Sequence, residues 1–131
     1  MRTKAPALSE VDPRVALRAF TRLADRWELG RPQRARLLRV SEKSIARYEA
    51  APPHELNADK LERISYLLGI YRGLNTIFGD KSAAATTWLR RPNSAFGGMT
   101  PLDRMLAGNV GDLAFVRAYV DRQVDPWGDG G

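Results

Sequence analysis

Apolar residues recur at steps of three and four along most of the chain, which is the period of an α-helix with one buried face. The first such stretch follows Asp12-Pro13, a helix cap with proline at the first helical position, and it predicts a helix over about 13–28. The longest stretch follows Asn57, where the apolar period continues for about twenty residues. This patterning predicts an all-α fold.

Capping and helix-breaking residues place shorter helices between and after these two. Ser41 caps a predicted helix over 42–50, and Thr100-Pro101 opens another. Further helices are predicted over 32–38 and 82–90, and a last one ends near Gln123. The stretch 124–131 contains proline and three glycines, so we expect it to be extended or loose.

A three-residue turn joins the helices predicted over 32–38 and 42–50, and this spacing is typical of a helix-turn-helix. In that motif the second helix enters the major groove of DNA. The string RPQRARLLRVSEKSIARYE also resembles the helix-turn-helix of Xre and phage-repressor proteins, with Arg39 where that family usually has glycine. The expected inward residues are Ala35, Leu38, Val40, Ile45 and Tyr48.

Positive charge is concentrated in this motif. The whole chain carries 21 basic and 15 acidic residues, and the segment 31–47 alone has six basic residues and one acidic residue. Such a cluster attracts polyanions, because each neutralised phosphate releases counterions; a solvated arginine-rich face is the alternative interpretation. We expect Lys43 and Arg47 to face the groove, and Arg34 and Arg36 to touch phosphate. The full set of candidate DNA contacts is Arg31, Gln33, Arg34, Arg36, Ser41, Lys43, Ser44 and Arg47.

Composition argues against most enzyme classes. The chain has no cysteine and a single histidine, His54, which excludes thiol nucleophiles, disulfides and multi-histidine metal sites. Acidic residues of the C-terminal half are expected at caps or solvent-facing positions, so we predict no catalytic residue, no metal site and no cofactor. These residues are Asp103, Asp112, Asp121 and Asp125. No apolar run approaches 18 residues, so we expect a cytoplasmic protein without a membrane partner.

A second motif occupies residues 88–109, WLRRPNSAFGGMTPLDRMLAGN. It resembles the toxin-binding domain of Xre/MbcA/ParS-type antitoxins in Trp88-Leu89, Pro92-Asn93, the loop Phe96-Gly97-Gly98, and the run Pro101-Leu102 with Met105, Leu106 and Gly108. The resemblance implies a non-enzymatic antitoxin that binds a NAD-consuming RES-domain toxin and represses its own operon. The same residues also suit structural roles, with Thr100 as a helix cap and Gly97-Gly98 as a turn.

These motifs divide the chain into a helix-turn-helix DNA-binding region, 1–56, and a toxin-binding helical domain with a C-terminal tail, 57–131. A single helix-turn-helix reads about one half-site, so we expect a homodimer on operator DNA. Its contact surface is predicted on the C-terminal half and the long helix, because the long helix is apolar on more than one face. The alternatives are a helical transcription regulator and an interaction scaffold, neither with a toxin partner.

The tail carries one large aromatic residue, Trp127, between flexible residues. An indole on such a tether is poorly placed to enter its own domain, whereas tryptophan and arginine are enriched at interface hot spots. We therefore predict that Trp127 anchors in a toxin cleft, while Arg122, Asp125 and Asp129 bind polar groups at its rim. An incidental tryptophan in a loose terminus is the alternative.

Overall fold

The computed structural model describes residues 11–79 and 81–127, so the prediction for Asp129 lies outside the described part. Within that part the chain is helical and has no strand, as the apolar period predicts. The helices are α1 (Pro13–Arg26), α2 (Arg31–Leu38), α3 (Glu42–Ala50), α4 (Ala58–Phe78), α5 (Ser82–Leu89), α6 (Pro101–Leu106) and α7 (Val110–Val124), with a 3-10 helix at Ser94–Phe96. No described helix is long and apolar enough to cross a membrane.

Side-chain caps begin four of these helices at the predicted residues. In each case an oxygen of the capping side chain accepts a hydrogen bond from a backbone N–H in the first turn, which otherwise has no helical partner. The hydrogen bonds of Arg14 also lower the pKa of the Asp12 carboxyl to about 2. The caps are Asp12 (2.9 Å to Arg14 N), Ser41 (3.0 Å to Ser44 N), Asn57 (3.0 Å to Lys60 N) and Thr100 (2.9 Å to Asp103 N).

The first two helices end in residues with left-handed backbone. α1 ends at Arg26, two residues before the predicted end, because Glu28 has φ 57° and Leu29 N–H turns back to the carbonyl of Ala24 at 3.0 Å. α2 ends in the same way at Arg39, where Val40 N–H reaches the carbonyl of Ala35 at 3.0 Å. These closures bring α1, α2 and α3 together over one core.

The central helix of the fold is α4. It packs against α1 and α2 from the N-terminal half and against α5 and α7 from the C-terminal half. Most of its apolar positions are therefore covered within the chain, although Ile77 near its C-terminal end is 41% exposed. The dimer contact on this helix stays a prediction. Leu61, Ile64, Leu67, Ile70 and Leu74 are buried.

Two glycines let α7 approach α4 closely. A Cβ atom placed on Gly73 would collide with Cγ1 of Val120, and one placed on Gly69 would collide with the guanidinium of Arg117. The Arg117 side chain lies across Gly69 and donates a hydrogen bond to the carbonyl of Ser65 at 3.3 Å. The absence of side chains at 69 and 73 thus sets the separation of the two helices.

Arg63 of α4 connects the two halves of the molecule. Only 4% of this residue is exposed. Its Nη1 donates to the carbonyl of Leu37 in α2 at 3.4 Å and to the carbonyl of Gly108, before α7, at 2.9 Å. Its Nε donates to the Asp59 carboxylate at 3.1 Å. Partial burial opposes ionisation of Asp59, but the hydrogen bonds from Lys60 and Arg63 outweigh it and lower its pKa.

Candidate functional site

The outer face of α3 carries the side chains predicted to read DNA. Ile45 is buried beneath the helix, while Lys43 and Arg47 are exposed on the opposite side. Arg47 Nη2 donates to Ser44 Oγ at 3.2 Å, and its guanidinium carbon lies 5.6 Å from the centre of the Tyr48 ring. Ser41 Oγ donates to Ser44 Oγ at 3.0 Å. α3 is therefore anchored to the core by Ile45 and presents Lys43 and Arg47 to the solvent.

Arg34 differs from its predicted role as a phosphate contact. Its side chain is 12% exposed and joins three elements: it bonds Asp25 of α1 at 2.7 Å, Glu49 of α3 at 3.0 Å and the carbonyl of Leu29 at 2.9 Å. All three nitrogens of the guanidinium thus have acceptors inside the protein. Arg34 holds α2 against its neighbours, and its charge is balanced by two carboxylates.

The remaining predicted contacts on α2 fall into two groups. Gln33 Oε1 accepts from Gly30 N–H at 3.0 Å and so caps its own helix, and Arg31 pairs with Glu49 at 3.4 Å. Arg36 is exposed and has no ion pair within the part of the chain that the structure describes. Of the α2 cations, Arg36 is the one best placed for an anion.

The turn between α2 and α3 contains the residue that departs from the helix-turn-helix pattern. Arg39 has φ 55° and ψ 51°, the left-handed conformation that glycine adopts most easily. Its carbonyl accepts from Lys60 Nζ at 3.1 Å, which ties the turn to α4. The turn thus keeps the usual backbone geometry although it carries an arginine side chain. An open groove of about 710 Å³ lies beside it, bordered by Arg36, Arg39 and residues 106–109.

The C-terminal half is built around a group of aromatic rings. Phe96 is buried at its centre, with ring centres of Tyr119, Phe115 and Trp88 at 5.1, 5.7 and 6.2 Å. Trp88 packs there half-buried rather than forming a cage for a ligand. Phe115 is 40% exposed, and the Arg104 guanidinium lies 4.3 Å from its ring centre. The helical period marks α7 as amphipathic but did not single out this exposed aromatic residue.

Asp112 is a correction to the prediction of a solvent-facing carboxylate. Its side chain is half-buried, and Oδ1 accepts from Arg104 Nε at 2.7 Å. Oδ2 is buried without a hydrogen-bond partner among the described atoms. The sequence spacing from Arg104 to Asp112 crosses a helix break, so no helical period predicts this pair.

The loop before α6 has the structural roles predicted from its residue types. Asn93 Oδ1 accepts from Ala95 N–H at 2.9 Å, and Gly97 and Gly98 have φ of 68° and 87°. Asn93 N–H also donates to the carbonyl of Met99 at 3.0 Å, which closes the loop. The Gly-Gly pair therefore serves the turn.

The helix before the C-terminal tail ends close to its predicted end near Gln123. Arg122 belongs to α7, which continues to Val124, and Asp125 follows as its last cap. Trp127 is 92% exposed, as expected for an indole outside its own core. Arg122 and Asp125 are also exposed, so these three predicted partner contacts share the C-terminal end of α7. Among the described residues, no group of three or more His, Cys, Asp or Glu side chains is placed to hold a metal ion.

Comparisons with known proteins match both halves of the chain. Residues 6–69 match the model of the antitoxin Xre-like helix-turn-helix domain, and residues 74–123 match that of the antitoxin Xre/MbcA/ParS C-terminal toxin-binding domain. The chain is also 36% identical over 123 residues to the uncharacterized protein y4oB of Sinorhizobium fredii (strain NBRC 101917 / NGR234), covering 94% of this chain and 95% of that protein. The two matched regions meet within α4, the helix that both halves share.

Proposed function

Because this chain belongs to the Xre/MbcA/ParS antitoxins, with their DNA-binding and toxin-binding domains in the same order, we propose that it represses its own operon and sterically neutralises a RES-domain toxin that consumes NAD. The observation that carries the DNA part is the pair Lys43 and Arg47, exposed on the outer face of α3. Neither task needs chemistry on this chain. The match to a toxin-binding domain favours this function over a scaffold or a regulator without a toxin partner.

In the proposed complex, α3 lies in the major groove and Lys43 and Arg47 reach base edges. Ser41 and Ser44 lie at the N-terminal end of α3, where backbone N–H groups and the helix dipole favour phosphate. Arg36 supplies a phosphate contact from α2, while Arg31, Gln33 and Arg34 support the motif through the contacts they already make. Two copies of the chain on neighbouring half-sites, about one helical turn apart, would give the specificity of an operator.

A binding assay on the DNA upstream of its own gene tests the repressor part. Lys43→Ala with Arg47→Ala should weaken binding to that DNA by about 1–3 kcal/mol per lost base contact, and binding to random duplex much less. Arg36→Ala is the matched control, because it removes an exposed cation expected to touch only phosphate and should weaken both DNAs alike. Equal losses on both DNAs for the α3 pair would contradict base reading.

Light scattering of the DNA complex tests the homodimer. Two chains per operator are expected. A single chain per operator at high micromolar protein would contradict this part of the proposal and leave the rest intact.

The proposed toxin contact is the end of α7 with its tail. Trp127 stands outside the core and is free to enter a cleft, while Arg122 and Asp125 are exposed five and two residues before it. Asp129 completes the proposed set. The bound tail then excludes the toxin's substrate sterically. This takes place in the cytoplasm, where operon and toxin are found.

Co-expression with the RES-domain toxin tests neutralisation. Removal of residues 124–131 should leave DNA binding intact, but cells that also make the toxin should stop growing. Trp127→Ala alone should reproduce most of this loss, whereas Val15→Ala, a change at another exposed apolar residue, should not. Full protection by the shortened chain would move the contact to the exposed side of α7 around Phe115.

A further inference from the structure

Three arginines line the solvent-facing side of α1 at four-residue spacing: Arg18, Arg22 and Arg26, the α1 arginine row. Each step of four residues rotates by only about 40° around a helix, so the three side chains share one face. The opposite face is buried in the core through Leu17 and Phe20. All three arginines are exposed, and none forms an ion pair within the described residues.

The row differs from three other arginines of the N-terminal half, whose charges are balanced by carboxylates. Arg14 pairs with Asp12 at 2.7 Å, and Arg31 and Arg34 pair with Glu49. Asp25, the carboxylate on the same side of α1 as the row, is already bonded to Arg34 at 2.7 Å. The α1 arginine row thus adds a second region of unbalanced positive charge, outside the segment 31–47.

This region adjoins the DNA-reading helix. Arg34 bonds both Asp25, beside the row, and Glu49, in the last turn of α3. Arg34 therefore links the outer face of α1 to the C-terminal end of α3 through two ion pairs. Within the row, Arg26 directly follows Asp25 in the chain, and Arg22 and Arg18 lie one and two turns further along α1.

The dimensions suit the backbone of DNA. A helix with its side chains is about 10–12 Å in diameter, so α3 fills a major groove about 12 Å wide, and residues packed beside it face the phosphates at the edges of the groove. The row itself extends about 12 Å along α1, which covers about three phosphates at 3.4 Å of axial rise per nucleotide. We infer that the α1 arginine row binds backbone phosphates of duplex DNA on the flank of the half-site read by α3. The inference rests on the proposed DNA binding by the helix-turn-helix.

Guanidinium groups suit this task because their planar donors match two phosphate oxygens at once. Each neutralised phosphate releases counterions, so the row adds affinity that depends strongly on salt and carries no sequence information. It would lengthen the DNA segment bound without enlarging the segment that is read.

The experiment measures binding of full-length protein to a duplex of about two helical turns that contains the upstream DNA of its gene, at about 50–200 mM salt. Changing the row to glutamine (Arg18→Gln, Arg22→Gln, Arg26→Gln) should reduce the slope of log affinity against log salt by about 2–3 for each chain bound to the duplex. The matched control is Arg72→Gln, Lys81→Gln, Arg91→Gln, which removes the same charge from exposed positions of the C-terminal half and α4. Its slope should stay near that of the natural protein.

The matching lysine variants of the row should keep most of the slope, because charge is retained. An unchanged slope in the glutamine variant would overturn the inference, and so would an equal loss of slope in the control variant. Either result would leave the proposed base reading by Lys43 and Arg47 intact. A natural protein that binds no DNA would overturn both this inference and the proposed repression. Intact DNA binding with lost toxin protection in the glutamine variant would assign the row to the toxin and overturn the inference as well.

Discussion

At the scale of single residues, Arg39 has an unfavourable conformation for its type. A side chain in the left-handed region costs about 1–2 kcal/mol, and glycine avoids that cost but loses about 0.5–1 kcal/mol through its freer unfolded chain. Arg39→Gly should therefore raise the free energy of unfolding by about 0.5–1 kcal/mol. Urea unfolding followed by circular dichroism measures the change.

The control for Arg39 is its helical neighbour. Arg36 is exposed like Arg39 but has helical backbone, so Arg36→Gly should lose about 1 kcal/mol instead. A loss of stability in both variants would show that the Arg39 side chain makes contacts that outweigh its backbone cost. Arg39→Gly also removes a cation beside the turn, which can change DNA affinity directly. Its DNA affinity is therefore compared with that of the natural protein under conditions in which both are folded to the same extent.

At the scale of helices, the two glycines of α4 lead to opposite expectations. Gly73 faces Cγ1 of Val120, a buried β-branched side chain with little room to move, so Gly73→Ala should cost about 1–3 kcal/mol through overpacking. Gly69 faces the long side chain of Arg117, which can swing into solvent. Gly69→Ala should gain helix propensity of up to about 1 kcal/mol, set against the hydrogen bond of Arg117 to Ser65 and its exposed ion pair with Asp121.

Thermal unfolding of both alanine variants compares them directly. A lower melting temperature for Gly73→Ala than for Gly69→Ala is expected, and the reverse order would contradict the close packing of α4 on α7. Restoring space with Val120→Ala in the Gly73→Ala background should recover part of the loss, because the two changes meet at one contact.

The beginnings of helices were predictable from the sequence, whereas their packing was not. Asp12, Ser41 and Asn57 cap locally, through bonds that span two or three residues, and a sequence displays such partners directly. The closeness of Gly73 to Val120 depends on two helices separated by many residues. For the same reason the sequence does not show that α1 and α7 cover most of the apolar surface of α4.

At the scale of the whole molecule, Arg63 is a buried polar link between the halves. Arg63→Met keeps the apolar stem but leaves the carbonyls of Leu37 and Gly108 without this donor, which should cost about 2–3 kcal/mol. Arg72→Met, an exposed change on the same helix, should alter the stability by less than about 0.5 kcal/mol. Chemical unfolding of both variants measures the difference, and equal stabilities would contradict the role of Arg63.

The ion pair of Arg63 with Asp59 makes part of this link sensitive to acid. The pKa of Asp59 is lowered in the folded chain below the ordinary value of 3.8, so its ionised form stabilises the fold above that pH. This stability is lost as the pH falls from about 3.8 through the lowered pKa. Asp59→Asn should be less stable at neutral pH and should show a weaker acid dependence in unfolding curves, and an unchanged acid dependence would contradict the pairing.

The candidate site was predictable to the extent that exposure follows helical period. Lys43 and Arg47 lie opposite Ile45, and the sequence alone places them outward. Arg34 has the same residue type and a similar local pattern, but Asp25 and Glu49 reach it from two other helices. Pairing across helices is a property of the tertiary fold, so the charge of a segment overstates the charge it offers to DNA.

Because α4 is covered in part by α7, its packing is completed only after α7 has been synthesised. The ribosome completes α4 before it has made the loop and helices that end at Val124, a delay of a few seconds at roughly 5–20 residues per second. During that delay no helix covers the surface of α4 at Gly69 and Gly73, and the Arg63 side chain lacks the carbonyl of Gly108 as an acceptor. A nascent chain stalled at this stage would offer an incompletely covered helix to proteases and chaperones, while the finished chain would not. We therefore expect resistance to degradation only after synthesis of the half that matches a toxin-binding domain.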